Sequence, residues 1–84
     1  MFCLYILKSQ QDDNLYIGST NNLKRRIEQH NAGKVFSTKL RKPFNLIYCE
    51  IYKAEADARK REHNLKLRSK ALAQLKKRIA ESLK

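Results

Sequence analysis

Acidic side chains are scarce in this chain. Eight Asp and Glu stand against nineteen Lys and Arg among 84 residues, a formal net charge of +11. A balance this one-sided makes a polyanion the natural partner and is more than a free-standing small metabolic enzyme needs. Cysteine is scarce too. Cys3 and Cys49 lack the CxxC or Cys/His spacing of a zinc site, and the expectation is buried, reduced thiols, with a side-by-side placement on two strands left open. Long hydrophobic runs are missing. The opening MFCLYIL is closed by Lys8, too early to cross a bilayer, and no basic region precedes it as a signal peptide requires. The chain therefore reads as cytoplasmic. With little Gly or Pro and no low-complexity run it reads as globular, and its length allows one domain with a small core. There is no internal repeat, P-loop, GxGxxG or Ser/His/Asp arrangement.

Residues 53 to 84 hold eleven of the basic groups and four of the acidic ones, about two thirds of the excess. Nucleic acid is the first candidate, DNA ahead of RNA. A basic amphipathic helix can also lie on an anionic membrane. Here the apolar positions are needed for a core, so no membrane is expected.

Taken in order, Phe2 to Leu7 and Leu15 to Gly18 form two strands joined by the polar loop Lys8 to Asn14, a hairpin. Tyr5 and Tyr16 face the same side if paired residue numbers have an odd sum, for example with Tyr5 opposite Tyr16; a one-residue slip separates them. Gly18 is read as a tight turn into a helix, with Ser19, Thr20, Asn21 and Asn22 as candidate caps and Gly33 as its left-handed stop. KVFSTKLRKP, residues 34 to 43, is a polar, basic surface loop. Its Lys34, Lys39, Arg41 and Lys42 suit phosphate contacts, or else form a solvated connection. NLIYCEIY, residues 45 to 52, is the third strand, central or covered on one face by helices. A helix from near Ala54 to about Arg68 would bury Ala54, Ala58 and Leu65. Another after Ser69, its cap, would bury Leu72, Leu75, Ile79 and Leu83, packing back on the domain or forming a dimer seam.

The stretch YIGSTNNLKRRIEQH, Tyr16 to His30, is where chemistry concentrates. Asn22, Arg26 and His30 are spaced by four, so Arg26 and His30 share a helix face near the strand carrying Tyr16. A phenol, a guanidinium and an imidazole converge there. The plainer reading is a half-buried strand tyrosine beside a solvated helix face. Glu62 stands among Arg59, Lys60, Arg61 and Lys66, where it is either an i, i+3 or i, i+4 ion-pair partner or something rarer.

Tyr5 within CLYIL, then Tyr16-Ile17-Gly18, then Arg26 and His30, then Arg61-Glu62 in ADARKREHNLK, together resemble the GIY-YIG nuclease domain, specifically its small standalone bacterial members. The match covers essentially the whole chain. The second motif is literal, while the first reads Cys3-Leu4-Tyr5 and keeps only the aromatic. The resemblance implies an α+β fold of order ββαβαα, a three-stranded antiparallel sheet flanked by about three helices. It implies an endonuclease that hydrolyses phosphodiester bonds with one divalent ion, Mg²⁺ or Mn²⁺, held by Glu62. By the same resemblance Tyr5 or Tyr16 positions or deprotonates the water, Arg26 neutralises charge on the scissile phosphate, and His30 holds the phosphate or moves a proton. A phenol in that role must be made more acidic by nearby cations. DNA repair or recombination is the expected setting, with a partner protein supplying specificity and the chain a monomer or weak dimer. The alternatives are a catalytically silent nucleic-acid-binding module of the same fold and a basic protein that binds RNA or ribosomes.

Overall fold

The structure is a computed structural model that describes every residue except Arg68 and the side chain of Ser69. Its elements are β1 (Phe2–Ser9), β2 (Leu15–Thr20), α1 (Leu23–Asn31), β3 (Phe44–Tyr52), α2 (Glu55–Leu67) and α3 (Ser69–Arg78). The antiparallel sheet has the order β2-β1-β3, which puts the apolar N-terminal run in the centre. That position explains its composition. A strand covered on both faces has no polar side to show, so MFCLYIL reads as a continuous run and not as an alternation.

The two faces of β1 carry two small cores. Leu4 and Ile6, with Ile17, pack against Leu65 of α2 and Leu75 of α3; Tyr5 and Leu7, with Phe44, pack against Leu23 and Ile27 of α1. α1 thus covers one face of the sheet and the α2–α3 pair the other. Lys8 Nζ ties the end of the chain to β1 by donating to the Leu83 carbonyl at 2.6 Å.

The hairpin has the odd-sum parity, at a register shifted from the example pairing. Tyr5 lies opposite Gly18 and Leu7 opposite Tyr16, two residues from the example pairing, so both tyrosines still share a face. The shift follows from the turn. β1 runs on to Ser9, whose Oγ accepts from the Gln11 and Asp12 amides while its backbone closes onto Asn14 and Asp13, leaving Lys8 to pair with Leu15. Gly18 is consequently a residue inside β2 and not a turn; β2 continues to Thr20. Asn22 is the cap of α1, extended at φ −148° and accepting from the Arg25 amide at 3.1 Å. Gly33, at φ +75°, ends the helix. Its amide reaches the His30 carbonyl and that of Lys34 reaches Gln29, the paired bonds of a Schellman motif.

β3 is an edge strand covered on one face. An irregularity at Ile6/Leu7 lets Ile47 join Tyr48 against the α2–α3 core, while Cys49 and Ile51 point to the open part of the other face. Cys49 is therefore exposed and not buried as expected; Cys3 is half-buried, and both are free thiols. Ala54 is also exposed, because α2 starts at Glu55 and Ala54 serves only through its carbonyl, which accepts from Asp57 and Ala58. Ala58 and Leu65 are buried as expected; α3 packs back through Leu75, buried, and Leu72, half-buried, while Ile79 joins from the turn after the helix and Leu83, expected in the same stripe, is half-buried beyond it and outside that core. The end of α2 near Arg68 and the capping side chain of Ser69 lie outside the described residues. Among the described residues no helix is long and apolar enough to cross a membrane.

Candidate active site

Tyr5, Tyr16 and His30 come together on the α1 face of the sheet. The His30 ring lies 4.8 Å from that of Tyr16 and 5.9 Å from that of Tyr5, centroid to centroid, and the two tyrosines are 6.3 Å apart. β1 and β2 supply the phenols by the shared parity. α1 supplies the imidazole because four-residue spacing returns His30 to the face that Asn22 starts.

Gly18 makes this arrangement possible. A Cβ there would sit 2.5 Å from Tyr5 Oη and 2.7 Å from Tyr5 Cζ, so the ring lies across a strand position that has no side chain. The glycine of the Tyr-Ile-Gly motif is thus explained by a close approach in the sheet.

His30 is fully buried between two hydroxyls. Tyr5 Oη is 3.0 Å from Nε2, and Thr38 Oγ1 is 2.8 Å from Nδ1. Burial, assisted by the Arg26 charge, pushes the imidazole down to about 4, so it is neutral at pH 7. Thr38 Oγ1 also lies 3.4 Å from the Val35 carbonyl and donates to it. Assigned on that basis, Nδ1 carries the proton toward Thr38 and Nε2 accepts from Tyr5.

Tyr5 does not meet the expectation of an acidified phenol. Burial raises it above the ordinary tyrosine value, Arg26 opposes that shift, and Tyr16 and Glu62 add to it. Tyr5 is 1% exposed, whereas Tyr16 is only half-buried. Arg26, one turn before His30, is half-buried, with Nη1 donating to Gln29 Oε1 at 3.1 Å.

Glu62 comes from α2, on the other face of the sheet, and reaches β2 at its edge. Its Oε1 accepts from Ser19 Oγ and its Oε2 from Lys66 Nζ, each at 2.6 Å. Burial pushes this carboxyl up, but the Lys66 and Ser19 hydrogen bonds outweigh that and hold it below the usual carboxylate value. It opens onto a cleft of about 470 Å³ lined by Ser19, Arg59, Glu62, His63 and Lys66. Tyr5, Tyr16 and Arg26 are not in that lining. Lys66 joins the two parts, since its ammonium also lies 5.8 Å from the Tyr16 ring centroid.

The ion pairs of Glu62 were half legible. Lys66 is its i+4 partner, but Arg59 pairs with Glu55 and Arg61 with Glu50. Glu50 accepts from Tyr48 and Tyr52 hydroxyls as well as Arg61, a network that fixes α2 against β3 next to Glu62. Ser19 and Thr38, which hold Glu62 and His30, carried no functional signal in the sequence.

The sequence pattern of the family described as the GIY-YIG catalytic domain matches residues 1–78. The chain belongs to the GIY-YIG family. A UPF0213 protein of Staphylococcus haemolyticus is 42% identical over 64 residues, 75% of this chain and 77% of that protein. One from Staphylococcus aureus is 38% identical over 78 residues, 89% and 94% of the two chains. The solution NMR structure of a UPF0213 protein from Bacillus halodurans superposes with a TM-score of 0.56 at 32% identity, covering 89% of this chain and 82% of that one. It shares the three-stranded sheet and three helices in the order ββαβαα. These names carry no activity of their own; membership of a nuclease superfamily is what the family supplies.

The loop cations of this GIY-YIG chain differ in availability. Lys34, Lys39 and Lys42 are exposed. Arg41 is tied down, with Nε 2.8 Å from Asp12 Oδ2 and its guanidinium 5.5 Å from the Phe44 ring centroid.

Proposed function

We propose that the chain is a metal-dependent endonuclease that hydrolyses phosphodiester bonds in DNA, in a repair or recombination setting. The observation that supports this is the convergence of Tyr5, Tyr16 and His30 on the α1 face with Arg26 one turn away, linked through Lys66 to Glu62, which Ser19 holds at the β2 edge outside that cluster. Arg26, whose Nη1 now donates to Gln29, would give a phosphate two hydrogen bonds as charge develops on it. Tyr16 is the phenol a substrate-bound water can reach; Tyr5, buried and bonded to His30, positions the imidazole and through it the α1 face.

Among the described residues no three His, Cys, Asp or Glu side chains converge. Glu62 in an open cleft still fits Mg²⁺ or Mn²⁺, because Mg²⁺ keeps several waters and takes phosphate oxygens for the rest of its shell. Such an ion, when bound, stabilises charge on the leaving oxygen. Lys66 must release Glu62 Oε2 for the carboxylate to serve.

That same 2.6 Å contact favours a second reading, a nucleic-acid-binding module whose carboxylate is neutralised internally. Cleavage of labelled duplex, flap, branched and single-stranded DNA with Mg²⁺ or Mn²⁺ decides between them. Wild type should cut while Glu62→Ala and Arg26→Ala bind without cutting. Equal binding by all three with no cutting would leave the binding module.

A further inference from the structure

Phe36 and Leu40 are 84% and 87% exposed, the two most exposed large apolar side chains among the described residues. Neither has a core role, yet the loop carrying them is anchored. Val35 and Thr38 of the same loop are buried, the Thr38 amide reaches the Val35 carbonyl at 3.1 Å, and that of Arg41 reaches the Thr38 carbonyl at 2.9 Å. Ser9 Oγ donates to the Arg41 carbonyl at 2.6 Å, and Asp12 holds the Arg41 side chain. Thr38 is also the residue bonded to His30, so the loop is one hydrogen bond from the tyrosine–histidine cluster.

Charge selects the occupant. Lys39 Nζ sits 4.9 Å from the Phe36 ring centroid, and the chain carries +11. A ring beside a cation on a basic surface matches a nucleic-acid strand, which offers a π face and a phosphate at each step. In a continuous duplex the base faces are hidden in the stack. A protruding ring reaches them only where stacking is interrupted, at a branch, a nick, a flap or a single-strand boundary.

We propose that Phe36, with Leu40 of the same loop, is a wedge that stacks on bases exposed where a DNA duplex is interrupted, so that the candidate active site is delivered to such discontinuities. This rests on the nuclease reading and names its substrate class. Thr38 passes the position of the wedge to His30.

The test uses the full chain in EDTA, so that cleavage does not intervene. The probes are a covalently closed, relaxed circular duplex and the same circle carrying a short single-strand gap, a junction with 2-aminopurine at its boundary. Wild type should bind the junction about tenfold tighter than the closed duplex, the order expected for one stacked base, and should change the 2-aminopurine fluorescence. Phe36→Ala/Leu40→Ala should lose both effects while keeping the closed-duplex affinity and its salt slope. Because the two side chains are exposed, circular dichroism and Tm should be unchanged. Equal binding of both probes by wild type, or a double variant that keeps the preference, overturns the wedge and leaves the nuclease reading standing. No DNA binding at all would overturn both.

Discussion

Gly18→Ala tests the construction of the site from a single atom. Gly18 sits inside β2 at a φ outside the left-handed region, so alanine meets no backbone strain there. On backbone grounds alone the change should stabilise by roughly 0.5–1 kcal/mol, the ordinary advantage of Ala over Gly within a strand. The added Cβ would instead fall 2.5 Å from Tyr5 Oη, 2.7 Å from Cζ and 3.1 Å from Cε1. A tyrosine end can usually swing aside. Here the ring is 1% exposed, hydrogen-bonded to His30 at 3.0 Å and packed beside Tyr16, so it has nowhere to go without breaking that bond. Overpacking of this kind costs about 1–3 kcal/mol and the lost hydrogen bond about 1 kcal/mol more. The net is a destabilisation of about 2 kcal/mol, a fall in Tm of roughly 10 °C for a domain of this size. Thermal and urea unfolding followed by circular dichroism measure it. The same substitution in a Tyr5→Leu background, where the distal ring atoms are gone, should cost much less. A neutral or stabilising Gly18→Ala, or an undiminished cost beside Leu at position 5, would refute the steric account of the glycine.

Three further outcomes are expected. His30 titrates near 4 when folded against 6.5 unfolded, so the unfolded chain binds the extra proton first, and stability should fall as pH drops from about 6.5 toward 4; His30→Gln should flatten that part of a Tm–pH curve, and an unchanged curve would contradict the buried neutral imidazole. Lys66→Met frees Glu62 Oε2 from its 2.6 Å partner and should lower the Mn²⁺ concentration needed for half-saturation in calorimetry without DNA, whereas an unaltered affinity would show that the ammonium does not compete. Lys39→Gln should weaken DNA binding uniformly across sequences and flatten its salt dependence by about one ion, while Arg41→Gln should change the salt slope less and the unfolding midpoint more, because Arg41 is held by Asp12. A base-sequence-dependent effect of Lys39→Gln would count against phosphate contact.

Much of the fold was legible because each element is specified locally. The spacing of Leu72 and Leu75 and the left-handed Gly33 are properties of short stretches and stand as read, while Asn22 is the cap out of the four candidates and the stripe leaves the helix before Ile79 and Leu83. Whether Tyr5 and Tyr16 share a face was left open by the sequence, because alternation makes it hinge on the pairing, and the Tyr5–Gly18 and Leu7–Tyr16 pairs settle it. The register was not legible. It is set by Ser9 gathering two amides inside the loop, a contact no hydrophobic pattern encodes. The exposure of Cys49 was hidden for a related reason: apolar residues on an edge strand look alike whether or not a helix happens to cover their face.

The candidate site divides along the same line. Arg26 and His30 share a helix and Tyr16 directly precedes it, so helical spacing and strand order bring them near one another before any tertiary contact is known. Glu62 lies 43 residues beyond its partner Ser19, and no local rule connects them. What places it is a relay of contacts: Glu50 takes Arg61 and two tyrosine hydroxyls on β3, which fixes the rotation of α2, and the next residue along the helix then faces Ser19 at the β2 edge. Burial pushes Glu50 up, yet the two hydroxyls and the guanidinium hold it below the ordinary carboxylate value, so it stays charged and keeps its grip at neutral pH. Arg61 and Glu62 are therefore adjacent in sequence for different reasons. The first points into the sheet to orient the helix; the second points to its edge and opens onto the cleft.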